Sequence, residues 1–286
     1  MSQLFERSAS IYIGQKKATE AIVIDATFRI TFDIKKTKST YLTPNTAKIE
    51  IYNLSKQTRD FIQPIKGLCL VRAGYGTNQK DIFKGSIVRS YHSKRPPDII
   101  TTLECLDGYD IINGVPQSFG FSPGSSAKSL LNSVLSSMKV DKGASNIGDV
   151  IDKHYATGFS FTGRGIEAID RICNYLNIEY SIQNNAIKLC KKGKSDNTTV
   201  DEISADTGML DSPTMIANAD EKNPTQSNLS GWQVKALLRP YLEPHNRIQI
   251  DSPMIPKAQY IIQTIQHSGD TRGNDWTTII DAIEAK

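Results

Sequence analysis

The sequence lacks long apolar runs and any strong excess of one charge. No stretch approaches the roughly 18 uninterrupted apolar residues of a membrane-spanning helix, and residues 1–10 contain no apolar core of a signal peptide. The 34 basic and 30 acidic residues leave a formal net charge of +4, which is too balanced to indicate nucleic-acid binding. At 286 residues and 38% hydrophobic content, the chain can form two or three ordinary domains with buried cores.

Cysteine is also scarce, and no two cysteines form a Cys-x-x-Cys pair. Each one lies in an apolar stretch, which favours buried free thiols in a chain that folds in a reducing cytoplasm. Two disulfides or a metal site are the alternatives. The four residues are Cys69, Cys105, Cys173 and Cys190.

Motifs of known chemistry are nearly absent. The four histidines are not spaced as metal ligands on one helix or strand, and no Gly-x-Ser-x-Gly occurs. The Thr-Gly-Arg-Gly at residues 162–165 favours a helix cap over a phosphate cradle, and residues 270–275 favour a hairpin turn over a calcium loop. Asp107 and Asp110 could form a carboxylate pair, but a position beside a turn is preferred. We predict a non-enzyme with no catalytic residue, no metal and no cofactor.

The clearest pattern that is present is an alternation of apolar and polar residues over residues 22–34. Such alternation is typical of a strand with one buried and one wet face. The pattern predicts one strand of roughly 40 Å at about 3.3 Å per residue, which is longer than a small domain needs. The apolar members are Ile22, Ile24, Phe28, Ile30, Phe32 and Ile34. A strand of this length favours a structural role in which a sheet extends to a neighbouring subunit.

Periodicity divides the chain into three parts, which together predict an α+β, mainly β fold. Residues 1–115 and 199–286 alternate as strands do, and we expect each to form a tube-like β-barrel domain with a long hairpin. Residues 116–198 change to helical spacing and predict an α+β insert domain between them. If the first and last parts are duplicates, their backbones should superimpose despite little sequence identity.

Local signals place several elements. Ser55 is a natural cap for a short helix, residues 130–138 and 166–176 have apolar faces at helical spacing, and Asn184-Asn185 predicts a hairpin turn. Three polar segments follow no period. They predict a turn at residues 35–40, a linker at residues 191–197 and a loop at residues 220–230.

Several segments, taken together and in this order, resemble baseplate hub proteins of contractile-tailed bacteriophages. None of them is a catalytic signature, so the resemblance depends on their combination over most of the chain. The segments are residues 45–55 (Asn-Thr-Ala-Lys-Ile-Glu-Ile-Tyr-Asn-Leu-Ser), 71–76 (Val-Arg-Ala-Gly-Tyr-Gly), 82–85 (Ile-Phe-Lys-Gly), 207–210 (Thr-Gly-Met-Leu), 236–240 (Ala-Leu-Leu-Arg-Pro) and 267–276 (His-Ser-Gly-Asp-Thr-Arg-Gly-Asn-Asp-Trp).

The resemblance implies a homotrimer in the tail baseplate of a virion, assembled in the host bacterial cytoplasm. Two tube-like barrels per subunit would give a ring of six that matches a sixfold tail tube protein above, while a threefold central spike protein and other baseplate proteins bind around it. DNA would pass through the channel without specific binding. A neutral or acidic channel wall is expected, because a basic wall would retain phosphates. The chain would not insert into a membrane.

Three charged residues are the candidate interface side chains: Asp25, Arg29 and Asp33. They alternate in sign on the wet face of the predicted long strand, where they could pair with a neighbouring subunit and fix its register. Two other functions stay open. One is a tail-associated cell-wall-degrading enzyme, for which Asp149, Asp152, Glu167 and Asp170 are the nearby acids. The other is the hub of a related contractile injection system.

Overall fold

The computed structural model describes residues 6–14, 21–38, 42–62, 67–143, 145–195, 200–217 and 230–285. The predicted loop at residues 220–230 lies outside them except for the last residue, and the ends of the predicted turn and linker, residues 39–40 and 196–197, also lie outside. The fold is mainly β, as predicted, and the described part contains four helices. No helix in those ranges is long and apolar enough to cross a membrane.

The first third forms a module of seven strands and one helix, called here the first β module. Its strands are β1 (Arg7–Gly14), β2 (Ala21–Asp25), β3 (Ile30–Thr37), β4 (Thr46–Tyr52), β5 (Leu68–Tyr75), β6 (Asn78–Arg95) and β7 (Asp98–Leu106), and its helix is α1 (Lys56–Ile62). The amide of Thr58 donates to Ser55 Oγ at 3.1 Å, so Ser55 caps α1 as predicted.

The prediction of a single strand over residues 22–34 is wrong. The chain turns between β2 and β3, because Asp25 accepts hydrogen bonds from the amide (3.0 Å) and hydroxyl (2.6 Å) of Thr27. β2 then pairs with β1, whereas β3 pairs with β4. The alternation survives on both sides of the turn because each strand still buries one face. β3 also continues to Thr37, through the start of the predicted turn.

A central module follows, with its own cluster of buried side chains. Its elements are α2 (Tyr109–Ile112), β8 (Gln117–Phe121), β9 (Ser125–Ser126), α3 (Ala127–Ser137), β10 (Asp141–Lys142), β11 (His154–Tyr155), β12 (Phe159–Gly163), α4 (Gly165–Leu176), β13 (Ile178–Gln183) and β14 (Ala186–Lys191). Both predicted helices are present. Asn184 and Asn185 have φ values of 57° and 62°, which the predicted β13–β14 hairpin turn requires. All four cysteines of the chain are buried and free.

The last third returns to strands and is called the second β module. It contains β15 (Asp201–Ile203), β16 (Thr214–Ala217), β17 (Ser230–Leu237), β18 (Arg247–Ser252), β19 (Ile255–Asp270) and β20 (Trp276–Glu284). Both β modules belong to one 13-stranded sheet, with the order β16-β17-β20-β19-β3-β4-β7-β6-β5-β1-β2 and with β18 and β15 branching from β19. Among the described strands this pairing does not close either module into a ring.

One edge of β19 joins the two β modules. Arg247 of β18 pairs with Ile261 on that edge, and a few residues later Thr37 of β3 pairs with Thr264 on the same edge. β20 occupies the opposite edge along most of this length. The same edge of β19 therefore pairs first with β18 of its own module and then with β3, which is more than 200 residues away in sequence.

All three modules meet at Glu243, beside this joint. Its carboxylate pairs with Lys36 Nζ at 3.2 Å, with Lys188 Nζ, and accepts from Asn184 Nδ2 at 3.0 Å. Lys36 comes from the first β module, whereas Lys188 and Asn184 belong to the central module. Burial acts to raise the pKa of Glu243, but the two ammonium groups outweigh it and lower the pKa to about 2. The side chain of Lys36 is only 1% exposed, so Glu243 supplies the negative charge that this buried cation requires.

The hairpin turn of the central module is held in the same region. Buried Asp107 accepts from the amides of Asn184 (2.8 Å) and Asn185 (2.7 Å), and from Asn45 Nδ2 at 3.0 Å. Burial raises the pKa of Asp107 in spite of these hydrogen bonds. Asp107 is therefore a docking residue between modules and not one member of an exposed carboxylate pair.

Replacing Glu243 with Gln should destabilise the chain strongly, because Lys36 would be left buried without a counter-charge. We expect a loss of about 3 kcal/mol in the free energy of unfolding at pH 7, measured by chemical denaturation. The matched control is Glu202→Gln, which removes an exposed partner of Lys257 (3.0 Å) and should cost about 0–1 kcal/mol. Equal effects of the two variants would contradict the role given to Glu243.

Acidification should destabilise the chain through two buried histidines. Burial, together with nearby lysines, lowers the pKa of His245 and of His267 from 6.5 to about 3. Between these values the unfolded chain binds protons that the folded chain does not, so stability is full above pH 6.5 and falls as the pH drops. The free energy of unfolding should decrease by up to about 1.4 kcal/mol per pH unit for each histidine. Denaturation at pH 7, 6 and 5 measures this, and a flat profile would contradict it.

Candidate assembly interface

The joint between β3 and β19 is the best-defined contact between two β modules. Seven consecutive residue pairs run from Thr37–Thr264 to Thr31–Asp270. At its end Arg29 forms a bidentate pair with Asp270, with Nη2–Oδ2 and Nε–Oδ1 distances of 2.7 and 3.3 Å. Phe32 packs edge-on against Trp276 with ring centroids 5.5 Å apart, so Trp276 of the second β module is buried in the core of the first.

The three predicted interface residues all make contacts within the chain. Asp25 closes the turn after β2, Arg29 pairs with Asp270, and Asp33 accepts from Gln266 Nε2 at 2.7 Å. The structure thus brings Arg29 and Asp33 to the same seam but places Asp25 in a local turn. Their contact with another subunit remains a prediction, and exchanging Arg29 would also disturb its pair with Asp270.

Strand pairing in the two β modules follows the same plan. The order β5-β6-β7-β4-β3 in the first module corresponds to β18-β19-β20-β17-β16 in the second. The long strands β6 and β19 each carry a bulge, between Ile87 and Arg89 and between Ile262 and Thr264. Immediately before each bulge the amide donates across to the preceding segment, from Ile87 to Gly67 and from Ile262 to Asn246, both at 2.9 Å.

A histidine–threonine contact also repeats at equivalent positions. His92 Nδ1 lies 3.1 Å from Thr101 Oγ1, and His267 Nδ1 lies 2.9 Å from Thr278 Oγ1. In both modules the histidine lies four residues after the bulged residue, which is Val88 in β6 and Gln263 in β19. Sequence reasoning missed this pair, because the only neighbour that the two histidines share is the serine that follows each, Ser93 and Ser268. The strand register shows that the two contacts are equivalent, because Thr101 lies directly across from His92 and Thr278 directly across from His267.

The acids considered for a cell-wall-degrading site do not converge. Hydrogen bonds from Arg164, at 2.6 and 2.9 Å, lower the pKa of Glu167, which closes the N-terminus of α4. Burial acts to raise the pKa of Asp152, but hydrogen bonds from Ser126 and Lys128 outweigh it and the pKa is lowered. A general acid needs a raised pKa, and neither residue has one.

The other two acids line separate cavities. Asp149 borders a cavity of about 260 Å³ with Lys191, Lys194 and Arg247, whereas Asp170 borders another of about 250 Å³. Within the described ranges no group of three or more His, Cys, Asp and Glu side chains could hold a metal ion. The Thr-Gly-Arg-Gly segment caps α4, as predicted.

Comparison with known proteins finds similarity in structure alone. No protein-family model matches the sequence. No curated protein matches it either. A tail protein from Neisseria meningitidis MC58 superimposes with a TM-score of 0.67 at 10% identity, covering 98% of this chain and 97% of that one. The 43 kDa tail protein of prophage MuSo2 from Shewanella oneidensis gives 0.68 at 9% identity, covering 98% and 99%.

A third similar structure comes from a secretion system. It is the E. coli c3393 protein, described as a component of the type VI secretion system with structural similarity to the T4 bacteriophage tail proteins gp27 and gp5. Its TM-score is 0.63 at 10% identity, covering 96% of this chain and 77% of that one. The chain therefore has the fold shared by these phage tail and type VI secretion proteins over nearly its whole length.

Proposed function

We propose that this chain is a structural baseplate hub protein of a phage contractile tail, and a trimeric adaptor between a sixfold tail tube and a threefold central spike. The observation that carries the proposal is the repeated strand plan of the two β modules. Three chains with two equivalent modules each present six similar units to a tube, while the central modules occur only three times. A trimer of one chain can thereby bind both a sixfold tube and a threefold spike.

The proposed partners follow from the resemblance of the sequence to baseplate hub proteins. They are two further copies of the chain, the tail tube protein on the six-module side, and the central spike and other baseplate proteins on the threefold side. DNA passes through the central channel without specific binding. The particle is assembled in the host bacterial cytoplasm and the chain stays in the virion tail baseplate. The proposed domains are residues 1–115, 116–198 and 199–286, and most of the buried side chains of each belong to one cluster.

A hub of a related contractile injection system is the second candidate function. The similarity to the type VI secretion component supports it, at nearly the same TM-score as the phage tail proteins. Both functions use the same assembly and differ in the particle. Capsid and terminase genes beside the gene for this chain would select the phage tail.

Threefold assembly is tested by the copy number at the tail tip. A cryo-EM map of particles that contain the chain should show three copies around the axis, with the first and second β modules alternating in a ring of six. Six copies, or one, would overturn the proposal. A monomer in dilute solution is compatible with it, since partners that bind only the assembled form shift the equilibrium by mass action.

The chain should lack hydrolytic activity towards the cell wall. Glu167 is held ionised by Arg164, so no carboxylic acid is available there to protonate a leaving group. Purified protein incubated with peptidoglycan should release no fragments, with a known lysozyme as the positive control. Release by the wild type that disappears in Glu167→Gln, but persists in the matched variant Glu179→Gln, would instead establish a cell-wall-degrading enzyme.

A further inference from the structure

The two long strands, β6 and β19, differ in which strand pairs with one edge of their C-terminal halves. In β19 the edge opposite β20 is occupied by β3, which pairs with Gln266–Asp270 through residues 31–35. The equivalent edge of β6, opposite β7, comprises residues 91–95 and is called here the β6 edge. Among the described strands none pairs with the β6 edge, although β5 pairs with the first half of β6 on that side.

The strand equivalent to β3 lies at the other end of the sheet. Within its own module β16 pairs with β17 as β3 pairs with β4, so Thr214 corresponds to Asp33 and Met215 to Ile34. The outer edge of β16 is the end of the described strand order. The β6 edge is therefore the equivalent of the β19 edge that binds β3, and the outer edge of β16 is the equivalent of β3 itself. The two lie in different parts of one sheet, and neither has a partner among the described strands.

We propose that β16 of one copy of the chain pairs antiparallel with the β6 edge of the next copy, and so repeats between chains the seam that β3 and β19 form within one. This inference rests on the proposed hub function and names its subunit contact. Transferring the register of the internal seam places Thr214 opposite Ser93, Met215 opposite His92 and Ile216 opposite Tyr91. The contact is head-to-tail, and such contacts close into rings when the rotation permits.

Exposure of the side chains agrees with a missing neighbour. Ile34 is fully buried in the seam, whereas its equivalent Met215 is 67% exposed. His267 is fully buried under β3, whereas its equivalent His92 is only half-buried. An added strand would cover both residues and would satisfy backbone groups along two open edges, which is how sheets avoid unspecific pairing.

Chain geometry limits the length of the contact. The internal seam ends at the Arg29–Asp270 pair, and Arg95 takes the position of Asp270. Pro213 takes the position of Phe32, whose backbone faces β19, and it has no N–H to donate. Pairing through β16 is therefore confined to its four residues, Thr214–Ala217.

Disulfide trapping tests the register directly. Even-numbered residues of β3 face β19 with their backbone groups, as the bond from Thr271 N to Ile30 O shows, so Ser93–Thr214 is a non-hydrogen-bonded pair with close Cβ atoms. Assembled particles that contain Ser93→Cys together with Thr214→Cys should give covalent oligomers on a non-reducing gel. Ser118→Cys with Thr214→Cys is the control and should give none. The four native thiols are buried and contribute no background.

A second variant avoids dependence on thiol chemistry. Met215→Lys should leave the melting temperature of the isolated chain unchanged, because the side chain is exposed there, but should abolish incorporation into particles. Met254→Lys, at a residue that is 71% exposed and lies between β18 and β19 and so belongs to neither edge, should incorporate normally. Normal incorporation of Met215→Lys would overturn the proposed contact.

The outcomes separate this inference from the proposed function. Three copies in the map without Ser93–Thr214 cross-links would overturn the edge contact and leave the hub function standing. Cross-links in a closed ring of a different copy number would keep the contact and overturn the threefold adaptor. Particles that contain a single copy would overturn both.

Discussion

The fold depends on the way one edge of β19 is shared. A strand edge offers one row of backbone donors and acceptors, and here β18 uses the first part of the row and β3 the second. Because backbone hydrogen bonds must be satisfied when buried, this sharing fixes β3 against a strand from the other end of the chain. The burial of Phe32, Trp276 and His267 follows from it, since each lies on or under this seam.

The polar junction beside the seam holds the central module in position. Glu243 neutralises two lysines from different modules, and Asp107 and Asn45 hold the β13–β14 turn by hydrogen bonds. Apolar packing alone tolerates small rotations, whereas charges and directed hydrogen bonds that are buried do not. This arrangement adds directed polar contacts to the apolar packing between the modules. A rigid unit is what the proposed adaptor between two symmetries requires.

The features that repeat in this chain are features of strand pairing. The two β modules repeat their strand order, their bulges and the His–Thr pair, while their surface residues differ. Repeated geometry of this kind serves pairing and packing, and the acids examined for catalysis cap helices or line separate cavities. The repeated positions that differ most in exposure, Ile34 against Met215 and His267 against His92, are where one module has a neighbour and the other does not.

The sequence by itself determined the local elements. Alternation located β3 and β4, helical spacing located α3 and α4, and Ser55 and the Asn184-Asn185 pair located a cap and a turn, because each signal depends on neighbours within a few residues. The same alternation concealed the turn at Asp25, since period two continues on both sides of it. Only the tertiary structure decided that β3 pairs with β19 and that Lys36 is buried against Glu243. It also decided that the equivalent edges of β6 and β16 have no partner among the described strands. These depend on register between segments far apart in sequence, and no local pattern encodes that register.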